Sequence, residues 1–302
     1  MQIIKAIVTI IRLPNLVFIF LTQLFAYYFI ILPALHSTSQ QATFNDFYIV
    51  LLSLSTVLIA AAGYIINDYF DIGIDAINKP NKVTIEKIFK RRTIIIWHIV
   101  FNIIGIAIAA YIAFYFVQLR YIIIQIISIL LLLFYSTTFK RKLIIGNVTI
   151  ACLTSLTLLT MAFYEPNFRL FDLQFAHSKL LWMYVLFAFL ITLIREIIKD
   201  IEDVKGDTAQ HCETIPLVLG IQTAKNICYV LIIFLEILIV VISIYFFQFN
   251  LFLVVFLAVF VSLPLILVFQ KIVVAANSID FHKISTYIKL VTLFGILSMV
   301  FI

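Results

Sequence analysis

Aspartates recur with one spacing in two separate stretches of the sequence. In the first stretch Asp68, Asp71 and Asp75 stand at offsets of 0, 3 and 7 residues, directly after Asn67. The second stretch repeats these offsets with Asp200, Asp203 and Asp207. Because a helix turns by about 100° per residue, each set falls within an arc of about 100° or less. The sequence therefore predicts two acidic helix faces.

Such faces are unfavourable unless something positive neutralises them. Carboxylates three or four residues apart on a helix repel one another, and both stretches lie at the ends of long apolar segments, where carboxylates are costly. Hard oxygen ligands on two facing helices favour Mg²⁺, which keeps several waters and shares the rest of its shell with substrate phosphates. We therefore expect Mg²⁺ between the two acidic faces.

The composition indicates that the helices lie in a membrane. The chain has 302 residues, of which 64% are hydrophobic and 12% charged, against about 25% charged residues in soluble domains. The mean hydropathy is +1.17. The net charge of +6 comes with no basic groove motif, so we expect no nucleic-acid partner.

Nine apolar stretches are long enough to cross a bilayer, which takes about 20 residues. We expect spans at 13–35, 46–66, 93–117, 121–138, 147–165, 180–198, 222–247, 250–270 and 286–302. The sequence thus predicts an all-α, polytopic membrane protein with its nine helices in one transmembrane domain over residues 1–302. Its partners then include membrane lipids.

The basic residues predict which end of this bundle faces the cytoplasm. With nine spans, eighteen lysines and arginines fall on the side of the N-terminus and only three on the other side. The positive-inside rule places the richer side in the cytoplasm. We therefore expect a protein of the cell membrane whose two acidic stretches face the cytoplasm.

The acidic stretches also carry a family resemblance. Residues Asn67 to Asp75 match the N-D-x-x-D-x-x-x-D signature of the UbiA-type intramembrane prenyltransferases, and Asp203 to Asp207 match the second signature of that family, D-x-x-x-D. The start Arg12-x-Pro14-Asn15 is similar as well. The wider phrases around both signatures most resemble the branch of the family that forms ether lipids.

The resemblance implies an activity and a set of site residues. It implies transfer of a polyprenyl group, geranylgeranyl in this branch, from an allylic diphosphate to the hydroxyl of geranylgeranylglyceryl phosphate. The implied Mg²⁺ ligands are Asn67, Asp68, Asp71, Asp75, Asp203 and Asp207. The implied contacts of the diphosphate are Lys82, Lys140, Arg195, Lys199 and Tyr135. The expected catalytic residues are Asp200, Asp203 and Lys199, with a carboxylate of the second stretch taking the released proton.

Three details of the site stay open at this point. Lys82 replaces an arginine that is common in relatives, which keeps the charge but loses the two-pronged hydrogen bonding. Tyr135 and Lys140 are five residues apart, where four is commoner, so Lys140, Arg141 and Lys142 all remain candidates for the site. Glu236 is an isolated intramembrane acid, either functional or held by a structural hydrogen bond.

Two other functions remain open. An aromatic acceptor of quinone biosynthesis, such as 4-hydroxybenzoate or dihydroxynaphthoate, would suit the same site. A cation-coupled transporter would also use buried carboxylates, but transporter sites usually lie near the middle of the membrane beside broken helices. Here the carboxylates gather at helix ends, and only seven glycines and six prolines are present to break helices.

Overall fold

Nine long helices account for most of the residues that the structure describes. The computed structural model describes residues 2–78, 88–248 and 250–302, and these residues form no β-strand. The long helices, numbered α1 to α9, are Leu13–Ser37, Asp46–Phe70, Arg91–Tyr115, Arg120–Thr137, Ile145–Tyr164, Ala176–Ala209, Ile221–Phe246, Leu251–Val274 and Ser278–Phe301. The nine predicted spans are confirmed, and the protein is an integral multi-pass membrane protein.

Short helical segments flank several of the long ones. They are the helices Gln2–Ile10, Ile72–Asn78 and Ile215–Val218 and the 3₁₀ turn Phe139–Arg141. Two of the long helices contain a π-helical segment, Ala26–Ile31 in α1 and Leu257–Ser262 in α8. Each π segment is followed at once by a proline, Pro33 or Pro264, whose missing N–H disturbs the regular helical ladder.

Helix α6 organises the interior. Its N-terminal half, with Leu181 and Tyr184, packs in an apolar cluster with α1, α2 and α5. Its C-terminal half, with Ile194 and Ile198, packs in a second cluster with α7, α8 and α9. With 34 residues α6 is about 51 Å long, well beyond the roughly 30 Å of a hydrocarbon core. Its last turns therefore extend past the apolar layer.

Polar side chains inside the bundle form hydrogen bonds with the backbone or side chains of neighbouring helices, because a membrane interior offers them no water. Ser55 of α2 donates to the Gly105 carbonyl of α3 at 2.7 Å. A Cβ on Gly105 would lie 2.8 Å from Cγ1 of Ile59, so this close crossing needs glycine. Glu236 of α7 accepts a hydrogen bond from Ser262 of α8 at 2.7 Å, which gives this intramembrane acid a structural partner.

Glu165, at the end of α5, connects chain segments at the end of the bundle opposite the two acidic stretches. Its carboxylate accepts from the backbone N–H groups of Thr43 and Phe44 at 3.1 and 3.4 Å and from the hydroxyl of Tyr27 at 3.4 Å. Glu165 is only 1% exposed. These bonds fix the α1–α2 connection at this end of the bundle. The two acidic stretches lie at the other end.

Candidate active site

The first acidic stretch is not one continuous helix. Helix α2 ends at Phe70, Asp71 adopts a non-helical turn with φ −88° and ψ 0°, and a new helix runs from Ile72 to Asn78. Both Asn67 and Asp71 are 6% exposed, and the Asn67 amide donates to Oδ2 of Asp71 at 2.6 Å. Asn67 Oδ1 is buried without a hydrogen-bond partner among the described residues. That oxygen is available as a ligand.

A basic residue that the sequence analysis did not assign to the site pairs with the first stretch. Arg12 Nη2 donates to Oδ1 of Asp68 at 2.8 Å, and its guanidinium lies 4.9 Å from the centre of the Tyr64 ring. Arg12 adopts the left-handed conformation, with φ 52° and ψ 52°, immediately before α1. Burial lowers the pKa of Arg12, but the charge and hydrogen bond of Asp68, together with Tyr64 and Asp71, outweigh burial and leave that pKa raised. Arg12 therefore stays cationic.

Lys140 is the member of the basic triplet that enters the site. Its ammonium contacts Oδ2 of Asp71, whereas Arg141 and Lys142 are exposed. Burial lowers the pKa of Lys140, and the neighbouring Asp71 carboxylate more than offsets this, so the pKa is raised. The 3₁₀ turn that carries Lys140 lies directly against Gly146, where a Cβ would come within 2.9 Å of the Lys140 Cα.

The second acidic stretch lies on α6. Asn78, at the end of the helix Ile72–Asn78, bonds to it. Asn78 donates to the Asp203 carbonyl at 3.0 Å and accepts from the Gly206 N–H at 2.9 Å. Asp200 accepts from Asn147 of α5 at 2.7 Å. Asp207 is 4% exposed, and Asp203 is partly buried. The Asn78 bonds hold the Ile72–Asn78 helix, which follows the first acidic stretch, against the second stretch on α6.

The Asn78 bridge gives a first prediction. Asn78→Ala removes both hydrogen bonds, each worth about 1 kcal/mol, and lets the Ile72–Asn78 helix move away from α6. We expect the melting temperature in detergent to fall by several degrees and the rate of catalysis to fall about tenfold. Asn226→Ala is the matched control, because Asn226 is exposed on α7 and bonds only to exposed Gln222. Equal behaviour of the two variants would contradict the proposed role of the bridge.

A carboxylate that the sequence analysis overlooked lies deeper along α6. Glu196 Oε1 accepts from Arg195 Nη1 at 3.0 Å and from Lys199 Nζ at 2.7 Å. Glu196 and Lys199 are three residues apart in the sequence, and residues at this spacing meet on one helix face. This spacing could have indicated the pair before the structure was known. Arg195 and Lys199 therefore pair with Glu196, while Lys140 contacts Asp71.

A cavity of about 210 Å³ opens beside these groups and continues into the bundle. Its charged lining consists of Arg12, Arg195, Glu196, Lys199 and Lys289, and Asn67 and Tyr135 also line it. Further in, its walls mix aliphatic side chains with hydroxyls and an amide, Thr56, Thr154, Thr157, Thr160 and Gln125 among them. The cavity thus has a charged mouth and a mostly apolar interior.

The residues around the mouth fit a divalent cation. Among residues 2–78, 88–248 and 250–302, no group of three or more His, Cys, Asp and Glu side chains is already gathered as a metal site. Arg12 and Lys140 instead neutralise Asp68 and Asp71. The unpartnered Asn67 oxygen and the hard-oxygen donor set nevertheless suit Mg²⁺. The predicted site residue Lys82 lies outside the described residues.

Comparison with known proteins identifies the family. The model of the UbiA prenyltransferase family matches residues 13–283. The chain belongs to the UbiA prenyltransferase family. Among its UbiA relatives, digeranylgeranylglyceryl phosphate synthase of Methanosphaera stadtmanae is 31% identical over 259 residues, covering 85% of this chain and 88% of the relative. The synthase of Saccharolobus solfataricus is 32% identical, covering 83% of each chain.

Solved UbiA structures share the fold. A structure of digeranylgeranylglyceryl phosphate synthase in membranes aligns with a TM-score of 0.67 at 22% identity, covering 99% of both chains. A UbiA homolog from Archaeoglobus fulgidus, bound to GPP and Mg²⁺, aligns with a TM-score of 0.59 at 13% identity over 98% of this chain and 99% of that one. The predicted family is confirmed, and the protein is a prenyltransferase.

Proposed function

We propose that this protein transfers a geranylgeranyl group from its allylic diphosphate to the free hydroxyl of geranylgeranylglyceryl phosphate, forming the second ether of a membrane lipid. The observation that carries the proposal is the Asn78 bridge, which holds two acidic stretches together beside a charged cavity mouth. The names of the relatives support this acceptor. The excess of basic residues on the N-terminal side supports a cytoplasmic site in the cell membrane.

The donor diphosphate would bind at the mouth of the cavity. In this proposal, two Mg²⁺ are held by the six predicted ligands, Asn67, Asp68, Asp71, Asp75, Asp203 and Asp207. When bound, Mg²⁺ supplies Lewis-acid stabilisation of charge on the diphosphate. Two lysines would contact the diphosphate oxygens: Lys140, which is among the described residues, and Lys82, which is not. Both would stabilise the charge that develops as the C–O bond breaks.

The cavity would hold the prenyl chain and the acceptor. Breaking the C–O bond releases diphosphate and leaves an allylic cation, which the ring of Tyr135, a residue of the cavity wall, would stabilise. Enclosure among apolar helices keeps water from capturing this cation. The acceptor hydroxyl then attacks the allylic carbon, and its proton passes to a carboxylate of the second stretch, Asp200 or Asp203. Lys199, which directly precedes Asp200 and lies one turn from Asp203, would stabilise the charge built up in this step.

Product analysis tests this proposal. Purified protein is incubated with geranylgeranyl diphosphate, Mg²⁺ and one acceptor at a time: geranylgeranylglyceryl phosphate, 4-hydroxybenzoate or dihydroxynaphthoate. We expect the digeranylgeranyl ether by mass spectrometry, with turnover abolished by EDTA and restored by excess Mg²⁺, because the clustered carboxylates need a cation to hold the diphosphate. A prenylated aromatic product would overturn the assigned acceptor. Cation flux in vesicles without bond cleavage would favour a transporter instead.

A further inference from the structure

Glu196 is the only carboxylate among the described residues that line the cavity. Its side chain is buried, and its Oε1 accepts both of its hydrogen bonds, from Arg195 Nη1 and from Lys199 Nζ. The other oxygen, Oε2, takes part in neither bond. It is also not one of the described side-chain oxygens that are buried without a partner. Oε2 is therefore open to the cavity.

Glu196 continues the acidic face of α6 toward the interior of the bundle. It precedes Asp200 by four residues and Asp203 by seven on one uninterrupted helix, and residues at these offsets lie on the same helix face. Along the axis, Glu196 lies about 6 Å from the level of Asp200 and about 10 Å from that of Asp203. When the donor diphosphate is held at the aspartates and its chain runs into the cavity, the allylic carbon lies between the aspartates and Glu196.

The two carboxylates that were expected to take the proton are placed differently. Asp200 Oδ2 accepts from Asn147 of α5 at 2.7 Å, and neither Asp200 nor Asp203 lines the cavity. Asp203 is in addition a predicted metal ligand, and a bound cation would occupy its oxygens. Among the described residues, Glu196 is therefore the carboxylate that an acceptor inside the cavity can contact.

Arg195 and Lys199 keep the Glu196 carboxylate ionised. A carboxylate that is buried in apolar surroundings without a counter-ion takes up a proton and cannot act as a base. The two cations hold the negative charge in place and fix the carboxylate through Oε1. Alkylation of a hydroxyl gives an oxonium ion, which is a much stronger acid than a carboxylic acid. Oε2 can therefore accept its proton even beside two cations.

We propose that Glu196 is the general base of the prenyl transfer. The allylic C–O bond breaks and its electron pair leaves with the diphosphate; the acceptor oxygen then bonds to the allylic carbon, and its proton passes to Oε2 of Glu196. This inference rests on the proposed function, and it assigns to Glu196 the proton that the sequence gave to Asp200 or Asp203. Arg195 and Lys199 act as positioning residues for this carboxylate.

Two acceptors that differ in one atom test this assignment. Glu196→Gln is assayed with geranylgeranyl diphosphate and Mg²⁺, using either geranylgeranylglyceryl phosphate or its analogue with a thiol in place of the free hydroxyl. At about pH 9 a thiol, whose ordinary pKa is about 8.5, is largely ionised and needs no base. We expect the rate with the hydroxyl acceptor to fall about a hundredfold, within the usual range for a general base, and the rate with the thiol to stay within about threefold.

Two further variants separate loss of the base from damage to the fold. Glu196→Asp keeps the charge that balances Arg195 and Lys199 but shortens the side chain, so it should lose about tenfold with the hydroxyl and little with the thiol. Glu213→Gln is the matched control, because Glu213 is exposed, and it should leave both rates unchanged. Equal losses with the two acceptors in both Glu196 variants would make Glu196 a structural ion-pair partner. An unchanged rate with the hydroxyl would also overturn the inference.

Equilibrium binding without donor or Mg²⁺ separates this inference from the proposed reaction. We expect the wild-type protein to bind geranylgeranylglyceryl phosphate at least about threefold more tightly than the deoxy analogue that lacks the free hydroxyl, because a charged carboxylate accepts from that hydroxyl. Glu196→Gln should lose this preference. If it does so but the wild type forms no ether, only the proposed reaction fails. If wild type and variant show the same preference, Glu196 does not contact the acceptor hydroxyl, and the inference fails.

Discussion

Asp71→Asn is expected to lower the rate of prenyl transfer about a thousandfold. Asp71 is buried and is the one residue of the first stretch whose carboxylate contacts both Asn67 and the Lys140 ammonium. Asparagine keeps the shape but removes the charge that balances Lys140 and that is proposed to draw Mg²⁺ to the site. A thousandfold loss corresponds to about 4 kcal/mol of transition-state stabilisation. The measurement is the rate at saturating donor, acceptor and Mg²⁺.

The control for this prediction is Asp172→Asn. Asp172 is a partly exposed aspartate in the loop between α5 and α6; it faces Arg169 at 3.8 Å and accepts from the Gln174 N–H at 3.0 Å. Its replacement should leave the rate within twofold of the wild type. Because Lys140 loses its buried partner in Asp71→Asn, the melting temperature is measured for both variants. A folded Asp71→Asn protein that retains a tenth of the activity would rule out Asp71 as a metal ligand.

Gly146→Ala is expected to lower activity about a hundredfold, although Gly146 has no side chain that could take part in the chemistry. A Cβ at this position would lie 2.9 Å from both the Lys140 Cα and the Phe139 carbonyl oxygen. These are backbone atoms, so the 3₁₀ turn itself must move, and the Lys140 ammonium must leave Asp71. The measurement is the rate together with KM for the donor, whose diphosphate Lys140 is proposed to contact.

A double-mutant cycle separates this mechanism from general damage to the fold. Lys140→Gln alone should lose about as much activity as Gly146→Ala, because both remove the ammonium from Asp71. If displacement of Lys140 explains the effect, adding Gly146→Ala to Lys140→Gln should cost little more. Fully multiplicative losses in the double variant would show that Gly146 acts in some other way.

The sequence predicts the helices well because their apolar runs are long. Prediction from the sequence is less accurate where polar residues continue a helix or interrupt one. Helix α6 was expected at 180–198 but runs over Ala176–Ala209, since hydropathy does not register the polar turns beyond the apolar segment. Conversely, a continuous helical face was expected through Asp71, where the backbone actually turns.

The pairing of charges depends on the fold and is therefore harder to predict. Lys140 and Asp71 are 69 residues apart, and Arg12 and Asp68 are 56 apart. Neither pair follows from spacing along one helix. The family signatures singled out the aspartates, but the sequence analysis left Lys140, Arg141 and Lys142 undecided and did not include Glu196. Only the packing of the helices brings Arg12 to Asp68 and Lys140 to Asp71.

The uninterrupted course of α6 has a consequence for how this architecture can diversify. Arg195, Glu196 and Lys199 are carried by the same uninterrupted helix as Asp203 and Asp207, so the distance between the two groups is set by a residue count. One residue inserted between Lys199 and Asp203 would rotate Asp203 and Asp207 by about 100° relative to the Arg195–Glu196–Lys199 group. A change of acceptor in proteins built this way must therefore come from exchanging side chains at fixed positions, and altered chain length must be confined to the connections between helices.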